Sequence, residues 1–208
     1  MRCFDVVHHN DGGMRVSFAL TSLVALVFIL GSGCGSTAPA PSPEDGALTA
    51  VTAYVDTEVE IAADSGACRD DLARGRAIVP GDTAICIAGF AQTLLEQADA
   101  VTSAAAPVSN ATATCATSRA ALRLAARRTS DSWRHVVDLV RRAAAAEVGP
   151  TSASITTAVA AADARANALL VDQLGAFSAA CLSGTAARRA EAVPERHRAA
   201  THRAGQTI

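Results

Sequence analysis

Between Ile155 and Cys181 an apolar side chain returns every three or four residues: Ile155, Val159, Ala162, Ala166, Leu169, Leu170, Leu174, Phe177 and Cys181. A strand would bury alternate residues, whereas this spacing lines one face of a helix. No window of the chain sustains a period of two. The long stripe therefore predicts an all-α fold. Half of the 208 residues are hydrophobic but only 3% are aromatic, with one Trp and one Tyr. Such a core is built from Ala, Val, Leu and Ile, and small alanine faces let helices approach closely.

Four further segments carry helix signals, which makes a bundle of four to five helices over residues 47–184. The first, 47–64, repeats Leu48, Val51, Val55, Val59 and Ala62. The second follows Pro80-Gly81 with Asp82 as N-cap and runs through Ile87, Phe90, Leu94, Ala98 and Val101 towards Pro107. A third, 112–128, repeats Cys115, Ser118, Leu122 and Ala125 and ends on Arg127-Arg128, where positive charge suits a helix C-terminus. Ser130 or Asp131 is expected to cap a fourth, closed by Gly149-Pro150, and Thr151 or Ser152 caps the last. Residues 185–208 lose the apolar pattern and carry five Arg against two acids, the composition of a mobile basic tail.

The amino-terminal part is of another kind. Residues 16–30, VSFALTSLVALVFIL, form an uncharged apolar run of the length of a signal-peptide core, too short to favour a membrane span. Met14-Arg15 ahead of it is a well-formed start, whereas the preceding MRCFDVVHHNDGG carries two acids, so translation is expected to begin at Met14. Gly31-Ser32-Gly33-Cys34 follows directly and resembles the lipobox of bacterial lipoprotein precursors, with the aliphatic residue at Leu30, one place earlier than usual. The resemblance covers about the first thirty-five residues. It implies cleavage after residue 33, a lipid on the Cys34 sulfur and attachment to a membrane. Residues 34–46 then form a tether rich in Gly, Ser and Pro.

With Cys3 before the expected start and Cys34 taken by lipid, Cys68, Cys86, Cys115 and Cys181 remain for the domain. An even number in an exported domain predicts two disulfides, and no C-x-x-C suggests a redox or zinc motif. If the five expected helices alternate in direction, Cys68, Cys86 and Cys181 gather at one end and Cys115 at the other. That leaves a topology other than a meander, an oblique third helix, or a free thiol. A short Cys68–Cys86 bridge clasping the Pro-Gly loop is expected.

Charge is unevenly spread. Residues 44–99 hold three Arg and eleven acids, a charge of −8, whereas residues 100–149 hold seven Arg and three acids, a charge of +4. Arg119, Arg123 and Arg127 lie one turn apart and Arg134 follows, so they are candidates for an anionic-ligand patch. The alternative is a solvated face complementing acids such as Asp56, Glu58, Glu60 and Asp64. A net-acidic exported domain is a poor partner for nucleic acid.

All 18 positive side chains are arginines, which excludes mechanisms that need a lysine, such as a Walker A loop or a Schiff base. Asp131 and His135 are four apart and could pair as a dyad, but no nucleophile motif accompanies them. His197 and His202 with Glu195 offer a weak metal set in the tail. No metal site, cofactor or catalytic constellation is expected. The chain is expected to be an extracytoplasmic lipid-anchored module that binds an envelope protein, or else a carrier of a small apolar or anionic ligand.

Overall fold

The computed structural model describes residues 42–75, 79–106, 111–145 and 151–205, and the expected signal segment, Met14 start, Cys34 and most of the tether lie outside them. The described chain is helical: α1 Pro43–Asp64, α2 Gly66–Ala73, α3 Gly81–Ala104, α4 Ala113–Ala145, α5 Ser152–Ala168, α6 Leu174–Cys181 and α7 Gly184–Gly205, with a π-helical turn, Leu169–Gln173, joining α5 to α6. No strand occurs among the described residues. None of these helices is long and apolar enough to cross a membrane.

Local chemistry explains most of the boundaries. The Ser42 hydroxyl accepts from the Asp45 N–H at 3.1 Å, and Pro43, Glu44 and Asp45 fill the first turn of α1. That turn takes in the last residues assigned to the tether. Asp82, expected as a cap, lies inside the first turn of α3, where its charge meets the positive end of the helix; Pro80 holds the cap position. Thr151 caps α5 by accepting from the Ser154 N–H at 3.3 Å. Gly184, with φ of +53°, lets the chain turn from α6 into α7, a backbone conformation that only glycine adopts cheaply.

The expected third and fourth helices are one. Helix α4 runs for 33 residues, about 50 Å at 1.5 Å per residue. Its buried stripe, Cys115, Arg119, Leu122, Ala126, Thr129, Trp133, Val136 and Val140, keeps a strict four-three alternation through the expected break. Neither Ser130 nor Asp131 starts a helix. Thr129 donates to the Ala125 carbonyl at 3.1 Å, and Ser130 donates across to Asp99 on α3 at 2.6 Å. The buried face is also rotated from the expected one: Arg119 and Ala126 are inside, while Ser118 and Ala125 are only half-buried.

Nor is 185–208 a mobile tail where it is described. Helix α7 lies along α1, with Ala190, Val193 and His197 buried on its inner face. Two ion pairs flank that seam, Arg189 with Asp45 at 2.8 Å and Arg196 with Asp56 at 3.0 Å.

These contacts set the directions. On α1 and α7 the paired positions rise together, as they do for α1 and α4 through Glu44–Arg119 and Tyr54–Trp133. On α3 and α4 they run oppositely, through Asp99–Ser130 and Phe90–Trp133. Five rods, α1, α3, α4, α5–α6 and α7, therefore alternate in a meander, with short α2 at the turn between the first two. The cysteines pair as Cys68–Cys86 at that turn and Cys115–Cys181 at the opposite end. Fusing two expected helices into α4 changes the parity of every later rod and brings Cys181 to Cys115. The difficulty posed by a plain meander disappears.

The π-helical turn resolves another oddity, the adjacent leucines Leu169 and Leu170, which are both fully buried. An inserted residue shifts the phase of the helix, so the stripe ending at Leu169 restarts at Leu170 and continues through Leu174 and Phe177.

Candidate functional site

Among the described residues, buried ionisable side chains occur at two places in this aliphatic core. In the first, His197 of α7 and Glu58 of α1 meet with Nδ1 and Oε2 2.5 Å apart, their side chains only 3% and 7% exposed. Glu58 belongs to the inward face of α1 that also carries Val51, Tyr54 and Val55, and is not one of the solvated acids it was grouped with; Asp56, Glu60 and Asp64 are exposed. One turn away the Tyr54 hydroxyl accepts from Trp133 Nε1 at 3.0 Å. Burial and the nearby Glu58 charge push the Tyr54 phenol well above its ordinary range.

The same cluster reaches α2, α3 and α5. Trp133 meets Phe90 edge to face at 6.2 Å, and the Arg69 guanidinium lies 5.2 Å from the Phe90 ring centre. Asp163 on α5 is held up at about 6 from its ordinary 3.8. Burial is the main cause, with Glu58 adding to it and Arg69 and His197 opposing. Of these groups Asp163 is the one whose carboxyl is moved towards neutral pH.

The second place is Arg119, whose side chain is 2% exposed. Glu44 Oε1, 21% exposed on the first turn of α1, lies 3.5 Å from its Nη1. None of the three Arg119 nitrogens has a hydrogen-bond partner, and the buried Nε of Arg123, one turn further along α4, has none either.

The four arginines expected to make one patch therefore have separate fates. Arg119 is interior, Arg123 half-buried and Arg127 exposed. Arg134 is engaged with Asp131 at 2.7 Å, with Ser130 at 3.3 Å and with Asp99 at 3.7 Å. Asp131 thus turns to Arg134, and His135 is exposed, so no dyad forms. His197 faces the core, away from the exposed Glu195, and the side chain of His202 lies outside the described set. No group of three metal-binding side chains occurs among the described residues. Sequence reasoning missed Glu58, Tyr54 and Asp163. The signal for Glu58 was its place three and four residues from Val55 and Tyr54 on an apolar stripe. No family model, curated protein or solved structure matches the chain.

Proposed function

We propose that this chain is an extracytoplasmic lipoprotein: a five-rod helical module, anchored through a lipid on Cys34, that binds another component of the cell envelope without chemistry of its own. The observation that carries this reading is the use of the cysteines. Cys68, Cys86, Cys115 and Cys181 are consumed in two bridges, one at each end of the bundle. Bridges of this kind form and persist in oxidising compartments outside the cytoplasm. Of the two cysteines left, Cys34 follows an apolar run of signal-peptide length and three small residues. The chain enters the first rod at Ser42, so no more than eight residues separate the anchor from the folded module. That is at most about 30 Å of extended chain.

Detergent phase partitioning of the chain produced in a bacterial host tests the anchor. The wild-type chain should enter the detergent phase and Cys34→Ala should move to the aqueous phase with its bridges intact. Equal membrane retention of the two would overturn the assignment. Native mass spectrometry of the exported chain tests the second half: a bound envelope protein supports a binding module, and a stoichiometric small molecule in its place argues for a carrier.

A further inference from the structure

The buried stripe of α4 is apolar or hydroxylic at every position but one. Arg119 occupies a place that the four-three spacing gives to the core, between Cys115 and Leu122, and its guanidinium is as enclosed as the leucines around it. A guanidinium presents five N–H donors and cannot shed its proton in a protein. Burying one without hydrogen bonds is costly, so a buried polar group left without partners calls for a bound water or ion.

Glu44 does not meet that need. Its nearest oxygen is 3.5 Å away, outside good hydrogen-bond range for a charged pair. It sits on the rim, able to turn to water. The neighbouring acid Asp45 is engaged by Arg189 at 2.8 Å. Arg123 adds a second guanidinium one turn along the same helix, with its buried Nε also unbonded. The unbonded interior nitrogens, all three of Arg119 and the Nε of Arg123, match the several oxygens of a tetrahedral or planar oxyanion.

We propose that Arg119 and Arg123 form a binding site for an oxyanion, a phosphate or carboxylate group, under the first turn of α1, with Glu44 as the resident competitor that the ligand displaces. A free anion as ligand does not rest on lipidation of Cys34, whereas a lipid headgroup does. The anion could be a free metabolite or the headgroup of an anionic lipid, since the site lies at the end of the bundle where the chain enters from residue 42.

Thermal unfolding of the full chain in detergent, with disulfides intact and ionic strength held constant, provides the test. Inorganic phosphate should raise Tm saturably, by about 3 °C or more at a hundredfold excess over half-saturation. Micelles doped with phosphatidylglycerol, compared with phosphatidylcholine, separate the sources. A rise with phosphate alone assigns a free anion, and a rise with phosphatidylglycerol as well assigns a headgroup. Arg119→Gln and Arg123→Gln should each abolish or strongly reduce the shift. Glu44→Gln, which removes the competitor, should lower the half-saturating phosphate concentration about tenfold, the equivalent of 1.4 kcal/mol. Where Arg119→Gln does not fold, Arg123→Gln and Glu44→Gln carry the test. No phosphate or lipid response in the wild-type chain, an undiminished response in the arginine variants, or weaker phosphate binding in Glu44→Gln would each overturn the site.

Discussion

The indole N–H of Trp133 donates to the hydroxyl of Tyr54 at 3.0 Å, a buried bond between residues 79 apart in sequence that ties the first rod to the third. It joins the chain's one Trp to its one Tyr. Both polar atoms lie deep in an aliphatic core, where each is costly alone and cheap together.

Tyr54→Phe should therefore destabilise by about 1–3 kcal/mol, since it strands the indole N–H in the core. Trp133→Phe should cost about 1–3 kcal/mol through lost volume and the stranded Tyr54 hydroxyl. Urea unfolding of the double variant should show a loss smaller than the sum of the singles by more than about 0.5 kcal/mol. Strict additivity would mean that the bond contributes nothing.

The Glu58–His197 pair predicts a larger effect. His197→Ala leaves a carboxylate buried between α1 and α7 without this partner, and breaking a buried pair from one side costs about 3–5 kcal/mol. The loss should concentrate in α7, so limited proteolysis should cut within 184–205 long before the rest of the bundle. Wild-type resistance in that segment would count against the pair as the seam's main fastener.

Asp163 sets a pH dependence. A carboxyl held at about 6 when folded and near 3.8 when unfolded binds its proton more tightly in the folded chain. Its contribution to stability is complete below the unfolded value and is lost as pH rises through about 6. The bundle should accordingly gain Tm on going from pH 7.5 to pH 5. Asp163→Asn should be more stable than wild type at pH 7.5 and should flatten the slope across that window. A slope unchanged in the variant would place the titration elsewhere.

The two bridges should differ in weight. Cys115–Cys181 closes a separation of 66 residues and Cys68–Cys86 one of 18. On the chain-entropy model these limit the unfolded chain by about 4 and about 3 kcal/mol respectively. Paired serine substitutions, compared by urea denaturation, should rank in that order.

The sequence was legible where apolar spacing dominated. The faces of α1, α3 and the α5–α6 rod could be read from it, as could the all-helical class. Where two local signals competed, the weaker one was easy to overrate. Ser130-Asp131 has the chemistry of a helix cap, yet Asp99 offers Ser130 a partner across the interface, so the stripe runs on without a break. Helix α7 was hidden because its stripe, Ala186, Ala190, Val193 and His197, has the spacing of a helix but little apolar bulk. The interior charges were the least legible. Arg119, Glu58 and His197 look like surface residues by type, and only their position on a stripe shows that they are not.

The order of the bridges along the chain has a consequence for biogenesis. They follow one another and do not interleave: the first pair closes before the second begins. In any delivery that starts from the amino terminus, an oxidant joining the domain's thiols in order of appearance makes the native pairs. The first clasp can close once the α1–α3 corner has emerged, whereas the second waits for Cys181, when four of the five rods are already out. The far bridge thus records that the bundle has arrived almost whole.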